Sequence, residues 1–178
     1  MSMEYALYAI SSLDTKEVLL RLYAAVDIIP NIQFVDKRPD SQSQYTEGSG
    51  FITTGTSLNV QPGNPSYRYF NEEFRFIPNI SVIFSIARDA DLEIVKMTII
   101  KMTLTLIAQG EIDSAALQFH QGKTDVLIYY QSRLFLNDAP EELDIWPPER
   151  LKLVTSPYQT FHLSFRNHWA SILTDNAT

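Results

Sequence analysis

The 178-residue sequence contains no cysteine. That excludes a disulfide scaffold, a thiolate zinc site and a cysteine nucleophile, and it suits a reducing compartment. Long hydrophobic runs are also missing. No apolar stretch approaches the roughly 18 residues that a membrane-spanning helix needs. The opening MSMEYALYAISSLDTKEV has no basic stretch ahead of its apolar residues, and acids follow quickly. It does not read as a secretory signal, so a cytoplasmic location without membrane contact is expected.

Positive charge is scarce. Fourteen Lys and Arg stand against 21 Asp and Glu, for a formal charge of −7. Phosphate backbones need a basic surface, so nucleic acid is not an expected partner. A basic protein partner is electrostatically easier, although moderate acidity also serves plain solubility.

Motifs for common chemistries are lacking too. There is no GxGxxG and no P-loop, and no HExxH or GxSxG, so no cofactor is expected. The histidines are His120, His162 and His168, and no two are at metal-ligand spacing. His120 precedes a hairpin turn and should face solvent. His162 alternates with Phe161, Leu163 and Phe165 and should point outward; it could serve as a base, but no acid adjacent in sequence would orient it. The carboxylate pairs Glu72-Glu73, Glu111 with Asp113, and Glu141-Glu142 with Asp144 read as solvated loop acids. Nothing implies the burial that catalytic carboxylates require.

What is present is a globular composition, 45% hydrophobic, over a length that suits one domain, residues 1–178. Residues 3–10 (MEYALYAI) read as a strand. Asp14 and Glu17 have capping-box spacing, and Val18, Leu19, Leu22, Tyr23 and Val26 form one apolar stripe, so 14–27 is a predicted helix. Glu17 and Arg21, four apart, could pair on its outer face. Residues 36–50 (DKRPDSQSQYTEGSG) have no aliphatic side chain and read as a polar loop. Strand composition resumes at 51–60, with Gly55 as a candidate bulge or break, and closes in turn chemistry at Pro62-Gly63 and Asn64-Pro65. Residues 67–77 (YRYFNEEFRFI) fit either a strand or a short helix.

In 80–87 (ISVIFSIA), Ile80, Val82, Phe84 and Ile86 alternate as the large side of a half-buried strand. Arg88, Asp89 and Asp91 follow as a strand-to-helix joint, with an Asp as cap. The segment LEIVKMTIIKMTLTLIAQG is too long for an ordinary strand, so it is a predicted helix ending at Gly110, with Val95, Met97, Ile100, Leu104 and Ile107 on its apolar stripe. A meander follows: 115–120, 125–130 and 133–137. A short helix after Pro147-Pro148 and a strand over 160–165 come next, and the tail at 172–178 should be flexible. The order implies an α+β fold. Its sheet is antiparallel and rich in meander, two main helices pack on one face, and the order is that of a ferredoxin-like βαββαβ unit with a C-terminal extension.

Between Asp138 and Glu149 lie five acids and no base, with Trp146 among them. A Trp ringed by acids can anchor a basic partner, or it can tuck into the core. Asp138, Glu141, Glu142, Asp144 and Trp146 are the candidate partner-binding residues.

The start MEYALYAISSLDTKEVL, the joint FIPNISVIFSIARDAD, the meander VLIYYQSRLFLN and the segment IWPPERL occur in one order. They resemble immunity proteins of the bacterial Sit (swarming-inhibition) toxin–immunity systems, over about residues 1–160. The insertion at 36–50 and the chain after Phe165 depart from that pattern. The resemblance implies a non-enzymatic protein that binds and neutralises a cognate toxin, with no catalytic residues. Two alternatives stay open: a domain that binds a small ligand or hydrolyses one with carboxylates, and a homo-oligomer paired through a sheet edge.

Overall fold

The computed structural model describes residues 3–26, 33–37, 45–53, 56–63, 72, 74–119, 124–138 and 145–161. The strands are β1 (Met3–Ser11), β2 (Gln33–Lys37), β3 (Tyr45–Thr53), β4 (Thr56–Pro62), β5 (Ile80–Ile86), β6 (Ile112–Phe119), β7 (Thr124–Tyr130), β8 (Arg133–Asn137) and β9 (Tyr158–Phe161). The helices are α1 (Thr15–Ala24), α2 (Leu92–Ala108) and the single turn α3 (Pro148–Leu151). The strands form one sheet in the order β2-β3-β4-β5-β1-β6-β7-β8-β9. Every pairing is antiparallel except β8 with β9. The fold is α+β, as the element order implies.

One part of the sequence reading is overturned. Residues 36–37 belong to β2 and 45–50 to β3, so 36–50 is not one polar loop; residues 38–44 lie outside the described set. The register runs from Gln33 opposite Ser49 to Lys37 opposite Tyr45, and β3 is in turn paired to β4. A strand is held by backbone pairing to its neighbour, and a polar, glycine-bearing sequence does not prevent that. The whole sheet is therefore not a simple βαββαβ unit. A hairpin intervenes between α1 and β4, and only β4, β5, β1 and β6 with α1 and α2 keep that alternation.

β1 sits between β5 and β6, so both of its edges are paired; its two faces meet two clusters, Tyr5, Leu7 and Ala9 in the main core and Tyr8 and Ile10 against the smaller one, which explains its nearly continuous apolar sequence. Tyr5, Leu7 and Ala9 face the helices, packed with Val18, Leu19 and Leu22 of α1 and Val95, Ile99 and Ile100 of α2. Ile80, Val82, Phe84 and Ile86 lie in that same core, as their alternation predicts. On α2 the buried set is Val95, Ile99, Ile100, Met102, Thr103, Leu106 and Ile107. The expected stripe is rotated, leaving Met97 and Leu104 only partly buried.

The opposite face carries a smaller aromatic core. Phe74 and Phe76 cover Ala116, Ile128, Phe135 and Phe161 there.

The joints follow from local chemistry. Asp14 caps α1 with a full capping box: its carboxylate accepts from the Glu17 N–H at 2.8 Å, and Glu17 accepts from the Asp14 N–H at 3.2 Å. The Glu17–Arg21 pair expected from spacing does not form. Arg21 instead donates to Gln109 at 3.1 Å and lies 3.9 Å from Glu111. Asp91 caps α2, accepting from the N–H groups of Glu93 and Ile94 at 3.0 and 3.2 Å. Gly110 ends α2 at a φ of 80°. Gln131 and Ser132, at φ 50° and 61°, make the two-residue β7–β8 turn, both in the left-handed form such hairpins use. The chain from β8 to β9 crosses over through α3, as a parallel pairing requires. Gly63 permits a close crossing: a Cβ there would sit 2.0 Å from the Pro78 carbonyl oxygen.

Candidate functional site

The segment Ile145–Arg150 closes against the first turns of α2. Ile145 is buried in the main core. Trp146 is half-buried, and its indole Nε1 donates to the Val126 carbonyl at 3.1 Å. Pro147 and Pro148 then set the backbone for α3, with proline at the position where its missing N–H costs nothing. That turn drives Arg150 inward until only 2% of it is exposed. Its Nη1 donates to the Ile145 carbonyl at 2.8 Å, and its Nη2 donates to the carboxylate of Glu93. Lys96 reaches the other Glu93 oxygen at 3.4 Å.

The electrostatics follow from that geometry. Partial burial would raise the pKa of Glu93, but Arg150 and then Lys96 outweigh it, and the carboxyl ionises below its ordinary range. Tyr5 of β1 feels the same pair. Burial pushes its phenol up, Arg150 opposes that, and Glu93 adds to it. The Tyr5 ring stacks on Phe119 with centroids 4.1 Å apart.

An open cleft of about 390 Å³ lies over this pair, lined by Glu93, Ile94, Met97, Thr98, Pro147, Glu149 and Arg150. Ile94 stands 56% exposed on its edge. A second cavity, about 350 Å³, lies between the end of α2, the β7–β8 turn and residues 154–157. Leu104, Ile107 and Leu134 give it apolar walls, and Tyr129, Ser132, Thr155 and Ser156 give it hydroxyls. Among the described residues its lining holds no acid, histidine, lysine or arginine.

The sequence-predicted partner residues are only partly placed. Asp138 is exposed at the end of β8, its N–H donating to the Phe161 carbonyl at 3.1 Å. Glu141, Glu142 and Asp144 lie outside the described residues. Trp146 uses its polar edge internally, so only part of its ring remains for a partner. His120, His162 and His168 also lie outside the described residues. Glu111 accepts from the Ser12 hydroxyl at 2.8 Å, a structural contact beside Arg21. Among the described residues, no group of three or more His, Asp or Glu is placed to hold a metal ion. No helix of the described residues is long and apolar enough to cross a membrane.

Sequence reasoning missed the Glu93–Arg150 pair. A signal was available: Arg150 is the first base after Arg133, in an acidic, proline-punctuated run. A cation there next to a helix-forming Pro-Pro needed a counter-charge, but nothing local pointed to a residue 57 positions earlier.

No curated protein and no solved structure matches the chain. The model of one family, described as SitI3-like, matches residues 3–150. That match runs from the central strand β1 to the buried Arg150, through both main helices and the meander, and the chain belongs to the SitI3-like family.

Proposed function

We propose that the chain is a non-enzymatic immunity protein that binds a cognate protein toxin in the cytoplasm and neutralises it, acting as a single domain. The observation that carries this reading is the family match over residues 3–150. The acid-rich segment Asp138–Glu149 and the net charge of −7 favour a basic toxin, because opposite charge speeds encounter and selects partners. In this reading Asp138, Glu141, Glu142, Asp144 and Trp146 form part of the contact face. Trp146, pinned to Val126, would act as a preset edge of that face rather than as a free anchor.

The test is a protection assay paired with a binding measurement. The protein encoded by the adjoining gene is expressed in a susceptible host with and without this chain, and the two purified proteins are titrated by calorimetry. Growth rescued by the chain together with a direct complex supports the proposal. Absence of both overturns it, and rescue without a complex points to an enzymatic or ligand-scavenging protein instead.

A further inference from the structure

The chain from Pro147 to Phe161 runs through α3 to the outer edge of the sheet and is buried only at its two ends. At the first end Arg150 is 2% exposed, its Nη1 donating to the Ile145 carbonyl at 2.8 Å and its Nη2 to the Glu93 carboxylate. At the other end Phe161 is 4% exposed in the smaller core, and its carbonyl accepts from the Asp138 N–H at 3.1 Å. Between them, from Leu151 to Thr160, no residue is buried, and every residue from Thr155 to Thr160 is exposed. Leu151, Leu153 and Val154 only lean on the main core. Arg133 donates to Gln159 at 2.6 Å, but in the open. The middle does not pack down either: the cavity of about 350 Å³ lies under Val154, Thr155, Ser156 and Pro157.

What this segment covers is different in kind. β9 is last in the sheet and pairs with β8 alone, in parallel. Leu134, Phe135, Leu136 and Asn137 of β8 are all buried. Lifting β9 away would make β8 the sheet edge and leave every pairing from β2 to β8 intact. A segment with few buried contacts, on one edge, is the kind that opens separately from the rest of a fold. The ion pair does little to prevent it. Opening returns Arg150 to water, and that hydration largely offsets the lost attraction to Glu93.

We propose that residues 147–161 form a strap that opens as one unit while the rest of the sheet stays folded, with Arg150 on Glu93 as its latch and Phe161 as its far anchor. Opening uncovers the β8 edge and the cavity beneath 154–157. The strap does not depend on the immunity reading.

The test is native-state hydrogen exchange on the full chain, followed by NMR. The Arg150 amide, bonded to the Pro147 carbonyl at 2.9 Å, reports the latch, and the Asp138 amide reports the far anchor. The Leu7 amide reports the sheet centre, because β1 is paired on both edges. In wild type the two strap amides should share one protection factor, at least about a hundredfold below that of Leu7. Each variant should then be felt at the opposite end. Glu93→Gln leaves the closed strap holding a buried cation without its counter-charge, and should speed exchange at Asp138 about tenfold or more. Phe161→Leu weakens the anchor and should speed exchange at Arg150 about fivefold. Thermal melts check that each variant is folded, and Phe161→Leu with the wild-type comparison decides the matter if Glu93→Gln is not. Equal protection at Leu7 and at the strap amides in wild type would mean that the strap opens only with the whole sheet, and the proposal fails. A variant that speeds exchange at its own end alone overturns it too, because the two ends then open separately.

Discussion

The carboxylate of Glu93, in the first turn of α2, receives a hydrogen bond from Nη2 of Arg150 in the lone turn of α3. The two partners differ in exposure: the Arg150 side chain is 2% accessible and that of Glu93 is 70%. The consequence is asymmetric. Glu93→Gln removes the carboxylate facing a buried cation and should cost about 3 kcal/mol, large for so exposed a residue. Arg150→Met leaves a carboxylate that water can solvate, and the double variant should be more stable than Glu93→Gln alone. Urea unfolding of the three variants measures this, and additive losses would contradict it.

The same pair sets a pH response. Glu93 ionises below its ordinary range in the folded protein, so its contribution is fully present above the unfolded value of about 4.3. It is lost as pH falls through the lower folded value, because the unfolded chain takes up the proton first. The stability gap between wild type and Glu93→Gln should be constant from about pH 7 to 5 and should narrow below about pH 4. Urea midpoints across that range test the sign.

Asn79 extends the β1–β5 pairing with its side chain. Its Oδ1 accepts from the Ser11 N–H and its Nδ2 donates to the Ser11 carbonyl, both at 2.9 Å, while its own N–H reaches the Ala9 carbonyl at 3.0 Å. Asn79→Ala should cost about 1–3 kcal/mol. Asn79→Asp keeps only the acceptor and should recover less than half. Hydrogen exchange at the Ser11 amide should rise in Asn79→Ala and rise less in Asn79→Asp, which keeps its acceptor.

The acidic edge after β5 separates into a cap and a turn residue. Asp91→Ala should cost about 1 kcal/mol through the lost N-cap. Asp89→Ala, at an exposed turn position, should stay within about 0.5 kcal/mol. Equal losses at the two positions would show that the cap does not carry the effect.

Burial pushes the phenol of Tyr23 up to about 12. The unfolded phenol ionises near its usual value of about 10, so this contribution is complete below that pH and is lost as pH rises toward the folded value. Tyr23→Phe should therefore lose less stability than wild type between pH 10 and 12, read from thermal melts in that window.

If the proposed contact face holds, replacing Asp138, Glu141, Glu142 and Asp144 together by Lys should slow association with the proposed toxin and flatten its dependence on salt. Stopped-flow association rates at two ionic strengths measure both. An unchanged rate would remove these four acids from the interface.

Much of the local structure was legible because its causes are local. The capping box at Asp14 and Glu17, the Asp91 cap, the left-handed Gly110 and the alternation of Ile80, Val82, Phe84 and Ile86 all lie within a few residues of what they determine. The hairpins β6-β7-β8 were readable for the same reason. What failed involved partners far away in sequence. The parts of β2 and β3 within 36–50 have no aliphatic side chain to signal a strand, yet backbone pairing of β2 to β3 and of β3 to β4 holds them. The stripe on α2 rotated because α2 packs on α1 as well as on the sheet. Arg21 turned from its neighbour Glu17 to Gln109 and Glu111, which the fold brings to the end of α1.

The sequence by itself determined the α+β class, the two main helices and their caps, the meander, and the resemblance that the family match then established. These rest on periodicity, turn chemistry and short-range hydrogen bonds, which a chain carries wherever it goes. Only the tertiary structure decided which groups meet across long separations: Glu93 with Arg150, Asn79 with Ser11, the Trp146 indole with the Val126 carbonyl, and Ile94 with Pro147 along one cleft. Such pairings depend on the sheet order and on the α3 crossover, and no local preference specifies either one.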